Sequence, residues 1–186
     1  SIWIVDVLPL QDLVEAGTDT ALKVFYIDEV TADRGWRSER SRWYYRPDEA
    51  PKSTLKYWSN SAATATIEIL DGNDAVVRRL SNTTVRGMNS FDWDLRVEKE
   101  LALAAEKVGL EKAKKDADDK QDESFSLAST PYAESGRLGQ ELYAIPGDYT
   151  VRVSIGEKVA SAGLKINPPK AFEPRAKTTY KLRGKH

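Results

Sequence analysis

The sequence has no cysteine, and its single histidine is the last residue, His186. Without cysteine the chain can form neither a disulfide framework nor a thiolate metal site. A histidine at the very end of a chain is poorly placed for a metal cage or a serine–histidine–acid triad. We therefore expect no metal and no other cofactor. The lack of cysteine leaves the cellular compartment open.

Two further features that the sequence lacks limit its possible partners. The formal net charge is -1, whereas binding to phosphate backbones needs a clear positive surplus, so we expect no nucleic-acid partner. No apolar stretch reaches the roughly 18–20 residues that span a bilayer. The chain also starts at Ser1 without an initiator methionine or a signal peptide, which favours a cut or processed end.

What the sequence does contain is a series of short apolar runs of strand length. In one of them Ala65, Ile67 and Ile69 share one face, which is the period-two pattern of a half-buried strand. The predicted strands are 21–27, 54–59, 64–70, 75–80, 90–95, 149–155 and 159–166, with turns at 71–74, 87–89 and 156–158. This pattern predicts a mainly β chain folded as an immunoglobulin/fibronectin-III-like antiparallel β-sandwich with a charged helical insertion.

The insertion is the segment 97–123, which is rich in alanine, glutamate, lysine and aspartate. Val97, Leu101 and Val108 fall at helical spacing, so its first half is predicted to be an amphipathic helix. Gly109 is expected to stop or kink that helix. The residues from Lys114 onward are expected to be exposed and mobile, because their apolar content is nearly nil.

Two groups of residues follow from these patterns. The predicted structural core consists of Ile67, Ile69, Phe91, Trp93, Leu95, Tyr149, Val151 and Val153. The candidate ligand-binding residues are aromatic side chains set among arginines, where a sugar ring or an acidic group could bind: Trp36, Trp43, Tyr44, Tyr45 and Trp58. The alternative for this second group is packing at the edge of the sandwich or at an interface.

The acidic residues support weaker hypotheses. Asp92 and Asp94 could form the carboxylate pair of a glycosidase, but strand alternation explains them as solvent-facing residues on either side of Trp93. Asp71, Asn73 and Asp74 could hold calcium, but a plain hairpin turn is favoured, because an EF-hand needs a longer ligand series. We therefore predict no catalytic residues.

Several segments taken in order resemble a known family. They are Thr66-Ile67-Glu68-Ile69-Leu70-Asp71-Gly72, Val76-Val77-Arg78-Arg79-Leu80, Gly87-Met88-Asn89-Ser90-Phe91-Asp92-Trp93-Asp94-Leu95-Arg96 and Pro146-Gly147-Asp148-Tyr149-Thr150-Val151-Arg152-Val153. The order is similar to the C-terminal immunoglobulin-like domain of BNR/Asp-box β-propeller proteins of the sortilin-like "glycosyl hydrolase" group. It also resembles the immunoglobulin-like module of flagellar hook-capping proteins. The Asp-box motif itself is absent from this sequence.

The resemblance implies an organisation and a role. Residues 1–14 would be the last strand and exit of a preceding β-propeller, 15–53 a linker with the aromatic-rich segment, 54–169 the sandwich, and 170–186 a basic tail. The module would be extracytoplasmic and non-catalytic, with the propeller or a cell-surface complex as its partner. The alternative is an accessory module that binds a glycan or a peptide. A hydrolase has least support, because no nucleophile–base pair can be assembled.

Overall fold

The computed structural model describes residues 20–33, 36, 51–120, 130–139 and 141–169, together with Gln11, Leu13 and Val14. For residues 116–120 only the backbone is described. Most of the predicted propeller strand, the aromatic residues Trp43, Tyr44 and Tyr45, the end of the insertion and the basic tail lie outside these ranges.

Eight strands and two helices make up this part of the chain. The strands are β1 (Leu22–Val24), β2 (Val30–Thr31), β3 (Ser53–Ser59), β4 (Ala63–Leu70), β5 (Val76–Thr84), β6 (Gly87–Trp93), β7 (Gly147–Ile155) and β8 (Lys158–Asn167), and the helices are α1 (Lys99–Lys120) and α2 (Pro131–Arg137). The mainly β class that the sequence predicts is confirmed.

The strands form two sheets. A three-stranded antiparallel sheet has the order β1-β3-β6, and a five-stranded sheet has the order β2-β8-β7-β4-β5 and curls into a half-barrel. Every pairing is antiparallel except that of β2 with β8, which is parallel. β2 has only two residues and was not predicted, since a run that short carries no periodicity.

Alternate residues of both sheets point into one shared core. Of the residues predicted to form it, seven are buried: Ile67, Ile69, Trp93, Leu95, Tyr149, Val151 and Val153. Phe91 packs against the same cluster but is only partly buried. Burying side chains of this size stabilises the fold by about 1.5–3 kcal/mol each.

Two aromatic side chains of the three-stranded sheet contact the five-stranded sheet. The ring of Trp93 meets that of Tyr149 edge-on, with centroids 6.5 Å apart. The hydroxyl of Tyr57 lies 2.8 Å from that of Thr84 and accepts a hydrogen bond of 2.8 Å from the Asn82 amide. These groups satisfy one another, as buried polar groups must.

A tyrosine at the start of β7 closes one end of the core. The Tyr149 hydroxyl donates to the Ile145 carbonyl over 2.8 Å, and the Ile145 amide donates to the Tyr132 hydroxyl over 3.3 Å. Burial raises the pKa of Tyr149 well above its ordinary value. Burial thus favours the neutral hydroxyl, which is the form that donates the bond to Ile145.

The turns are set by side chains as well as by backbone. In the β4–β5 hairpin, Asp71 Oδ1 accepts the backbone N–H groups of Asn73 and Ala75 at 2.9 and 3.0 Å. The β7–β8 hairpin places Gly156 at φ +58° in the first loop position, where a left-handed residue suits the twist of the strands.

The predicted turn at 87–89 is wrong, because these residues begin β6. The bend lies just before them. Asn89 reaches back over it, accepting the Val85 N–H at 2.9 Å and donating to the carbonyls of Val85 and Gly87, both at 2.9 Å. The asparagine therefore closes the bend from inside the strand and is not itself a turn residue.

The predicted stop at Gly109 is wrong, since α1 continues through it to Lys120. A Cβ at this position would lie 3.2 Å from Nδ2 of Asn73. Because Gly109 has no side chain, the β4–β5 hairpin can lie close to the helix. Among the described helices none is both long and apolar enough to cross a membrane.

One contact anchors the helical segment to the five-stranded sheet, and another joins its two helices. Glu98 covers the edge of β5, donating its N–H to the Val77 carbonyl and accepting the Arg79 N–H, both at 2.9 Å. Glu106 of α1 accepts the first backbone N–H groups of α2, from Tyr132 and Ala133, at 2.9 and 3.0 Å. A carboxylate is well placed at the start of a helix.

Replacing Tyr149 by phenylalanine tests the contribution of its hydroxyl to stability. The change removes the bond to the Ile145 carbonyl, so we expect a loss of about 1–2 kcal/mol in the free energy of unfolding at neutral pH. Urea denaturation measures it. Tyr143→Phe is the matched control, because the partners of that hydroxyl, Glu141 and Arg96, are exposed side chains; an equal loss in both variants would contradict the role of the Tyr149 hydroxyl.

The Tyr149→Phe variant also tests how the stability of the fold depends on pH. An unfolded tyrosine ionises near pH 10, whereas burial keeps Tyr149 protonated in the folded chain. The stability of the wild-type chain should therefore fall as the pH rises above 10, and the fall should be shallower in Tyr149→Phe.

Candidate functional site

A shallow groove of about 170 Å³ lies beside β8. One wall is the crossover between β1 and β2, which carries the chain from the three-stranded to the five-stranded sheet and includes Tyr26 and Glu29. Gly163 leaves the space open, since a Cβ built there would meet nothing within 4 Å. Tyr26 is 72% exposed, so its ring is available at the rim.

The groove carries charges of both signs. Asp148 and Lys165 are cross-strand neighbours on β7 and β8, and both line the groove. Glu29 is held by Asn167, whose Nδ2 donates to Oε2 of the carboxylate over 2.8 Å. An exposed aromatic ring next to carboxylates and an ammonium group suits a small polar ligand that has one apolar face.

Trp36 packs in a second cluster, at the place where the chain leaves β6. Its ring lies 6.2 Å from that of Tyr143, and the Arg96 guanidinium lies 5.8 Å from the centroid of the same tyrosine. Arg96 also pairs with Glu141 at 2.9 Å and with Asp94 at 3.6 Å. We call these residues, Trp36, Tyr143, Arg96, Glu141 and Asp94, the Trp36 cluster.

Electrostatics hold Arg96 firmly in its charged form. The hydrogen bond with Tyr143 is the main cause that raises the pKa of Arg96 above its ordinary value; burial opposes it, and the charges of Glu141 and Asp94 add to it. The cluster therefore presents a fixed cation stacked on an aromatic ring.

Trp58 lies elsewhere. Its indole Nε1 donates to the Thr20 carbonyl over 3.0 Å, and its cross-strand neighbours are Lys23 and Met88. The bridge between Arg96 and Tyr143 adjoins the Ser53 end of β3, whereas Trp58 lies five residues along that strand, which is about 17 Å. Trp58 thus lies near the Ser59 end of β3, whereas the Trp36 cluster follows Trp93, which pairs with Ser53 at the other end of that strand.

The carboxylates considered for glycosidase chemistry are exposed and held by neighbours. Asp92 Oδ1 accepts from the Thr54 hydroxyl over 2.6 Å, and its Oδ2 lies 3.4 Å from Lys52 Nζ. The Thr54 bond is the main reason why the pKa of Asp92 lies below its ordinary value. A general acid needs a raised pKa, so this environment acts in the opposite direction.

The residues considered for calcium serve the hairpin, where Asp71 accepts backbone N–H groups. No group of three or more histidine, cysteine, aspartate or glutamate residues in the described ranges could hold a metal ion.

Sequence reasoning missed the two residues that define the groove. Tyr26 was counted as part of an apolar strand running to Ile27, but β1 ends at Val24 and the chain then crosses between the sheets. Gly163 sits inside a strand, and an isolated glycine there is a known sign of a bulge or an open backbone. That sign was present in the sequence.

No protein-family model matches this chain, and no curated protein matches it.

Replacing Thr54 by valine tests the origin of the Asp92 shift. Without the hydroxyl donor, the pKa of the Asp92 carboxyl should rise toward its ordinary value of 3.8. Carbon-detected NMR titration of the carboxyl group measures this pKa. Lys52→Met is the control, and it should produce a smaller rise, because the lysine is the weaker cause. A larger effect of the lysine would contradict the assignment.

Proposed function

We propose that the two sheets form an immunoglobulin/fibronectin-III-like sandwich. In the lettering of that fold, β1, β3 and β6 correspond to strands A, B and E, and the five-stranded sheet to A′, G, F, C and C′. The parallel pairing of β2 with β8 supports this correspondence, since it reproduces a first strand divided between the two sheets. The helices α1 and α2 then lie within the connection between strands E and F.

Tyr149 supports the same assignment. It begins the strand that corresponds to F, and its hydroxyl bonds to the backbone four residues earlier. This is the arrangement called the tyrosine corner in immunoglobulin-like sandwiches. Two residues later, where antibody domains have a cysteine, this chain has the fully buried Val151.

On this fold we propose a non-catalytic structural and interaction module. It would belong to the C-terminal end of an exported β-propeller protein and pack on the propeller or on a cell-surface partner. The Trp36 cluster carries the proposal. It combines a half-buried tryptophan, a tyrosine and a fixed arginine cation, which are the residue types enriched at the centres of protein interfaces.

Hydrogen–deuterium exchange tests this role by comparing the isolated chain with the parent protein from which we propose it comes. The segments 94–97 and 141–144 should exchange more slowly in the parent. Trp36→Ala should reduce that protection, whereas Trp58→Ala, at the far end of β3, should not. Equal exchange in both contexts, or a parent sequence without propeller repeats, would contradict the proposal.

The alternative is an accessory module that binds a glycan or a peptide, and the groove favours it. Tyr26 offers an exposed ring, and Asp148 and Glu29 offer acceptors for hydroxyl groups. A pyranose ring has one apolar face for stacking and hydroxyl groups at its edge, so it matches this chemistry.

Titration calorimetry with a panel of soluble oligosaccharides measures such binding. We expect Tyr26→Ala to weaken the affinity at least about tenfold, as the loss of an aromatic contact near 1.4 kcal/mol would. Val85→Ala, another exposed apolar residue away from the groove, should have no effect. Binding that is absent from the panel, or unchanged in Tyr26→Ala, would contradict the alternative.

A further inference from the structure

One long side of the sandwich has no further strand along it in the described part of the chain. β5 and β6 are edge strands of different sheets, and only the bend at 85–86 separates them, so both border this side. Helix α1 follows Glu98 at the β5 edge and leads past Gly109 to the β4–β5 hairpin, away from the bend. We call residues 78–84 of β5 and 87–93 of β6 the open side.

The register of the three-stranded sheet fixes which backbone groups of β6 face the open side. Lys56 of β3 accepts the N–H of Phe25, the residue after β1, at 3.0 Å, so the even-numbered residues of β3 face β1. The odd-numbered ones face β6 and pair with its odd-numbered residues. The N–H and C=O groups that point away from the sheet therefore belong to Met88, Ser90 and Asp92, and no described backbone group bonds to them. Such an edge is a template for another strand.

An arginine on the inner face of β5 has an unsatisfied donor. Arg78 lies opposite Ile69 of β4, which is fully buried in the core, so both side chains are on the inner face. The Nε of Arg78 is shielded from solvent but has no hydrogen-bond partner. None of the ion pairs between described residues includes this guanidinium. Because buried polar groups are normally satisfied, the free N–H points to an acceptor that the described residues do not supply.

Arg78 is level with the Trp93 end of β6. The Tyr57 hydroxyl bonds to Asn82 of β5, and Tyr57 pairs with Asn89 of β6, so Asn82 and Asn89 lie at one level of the sandwich. Arg78 is four residues from Asn82 and Trp93 is four residues from Asn89, both in the direction away from the bend. An inward-facing side chain on a strand added next to this end of β6 would therefore reach the guanidinium.

The apolar surface of the open side is also incompletely covered. Leu80 follows Arg78 on the inner face of β5, and Phe91 lies on the inner face of β6; both are only partly buried. A strand added beside β6 would bring further apolar side chains against them. The open side thus combines unpaired backbone groups, uncovered apolar surface and an unsatisfied cation.

We propose that an extended segment of a partner protein adds to β6 as an antiparallel strand and places a carboxylate on Arg78. Its backbone bonds to Met88, Ser90 and Asp92, and its inward side chains pack against Leu80 and Phe91. An arginine–carboxylate bond is charge-assisted, so it satisfies the free donor better than a neutral acceptor does. The proposal does not depend on the proposed function. In the immunoglobulin lettering the added strand takes the place of strand D, next to E.

A second copy of this chain is a poorer occupant of the same edge. Paired antiparallel with β6 about a twofold axis, the second β6 would turn only Gly87, Asn89, Phe91 and Trp93 inward. None of these side chains carries a carboxylate for Arg78. The unsatisfied cation therefore favours a different, acidic partner segment.

Three capped seven-residue peptides, TETVTVT, TVTETVT and TVTVTET, serve as probes. Each alternates outward threonines with two valines and one glutamate on the inward face, and they differ in where the glutamate lies. In proton–nitrogen correlation NMR of the full chain, at least one should shift the amide signals of Met88, Ser90 and Asp92, with a dissociation constant on the order of 0.1–1 mM. Its glutamine counterpart should bind at least about fivefold more weakly, because it offers Arg78 no charged acceptor.

Two variants separate the backbone contribution from the charge. Arg78→Gln should bind the glutamate and glutamine peptides equally. Ser90→Pro removes an N–H that the β3–β6 ladder does not use, so it should abolish binding of both peptides, whereas Ser90→Ala should bind like the wild type. Circular dichroism melts check that the variants are folded, and the comparison through Arg78 decides the matter even if the proline variant is not.

Three results would overturn the proposal. The first is the absence of shifts on β6 at peptide concentrations up to about 5 mM. The second is equal affinity of the wild-type chain for the glutamate and glutamine peptides. The third is a shift of the same β6 amides as the chain itself is concentrated without peptide, which would assign this edge to a second copy.

Discussion

The packing of Trp93 and Tyr57 across the two layers is the interaction on which the rest of the structure depends. Both residues lie on the three-stranded sheet and contact residues of the five-stranded one, Trp93 through an edge-on ring contact and Tyr57 through two hydrogen bonds. In the described part of the chain the two sheets share no strand pairing. Contacts between side chains on their inner faces therefore hold them together, along with the segments that cross from one sheet to the other.

The same contact organises the end of the molecule that carries the Trp36 cluster. The Trp93 indole donates to the Arg96 carbonyl over 2.9 Å, which positions the arginine that stacks on Tyr143. Leu95 lies between them, buried and at φ +58°, a conformation that costs a non-glycine residue of order 1 kcal/mol. The burial of its side chain offsets that cost. The candidate interaction surface therefore rests directly on the core.

Much of the fold could be predicted from alternation alone. β4, β7 and β8 lie close to where the sequence predicts strands, because their inward residues are almost all apolar. β2 could not be found in this way, and neither could the true start of β6. There the signal is a single side chain, Asn89, which closes a turn from within the strand. The role of Gly109 could not be predicted from the sequence, because it depends on a tertiary contact. Without a side chain at this position, a neighbouring hairpin can pack against the helix. The groove could not be predicted either, because Tyr26 and Gly163 come together only after the chain crosses between the sheets.

The contact between Trp93 and Tyr149 can be observed directly by NMR. A nuclear Overhauser spectrum of the full chain should show cross-peaks between the indole protons of Trp93 and the ring protons of Tyr149, as their centroid separation of 6.5 Å requires. Cross-peaks of this kind would establish that the two sheets face each other over one core. Their absence, with each ring instead contacting only its own sheet, would contradict the account of the fold and of both candidate surfaces.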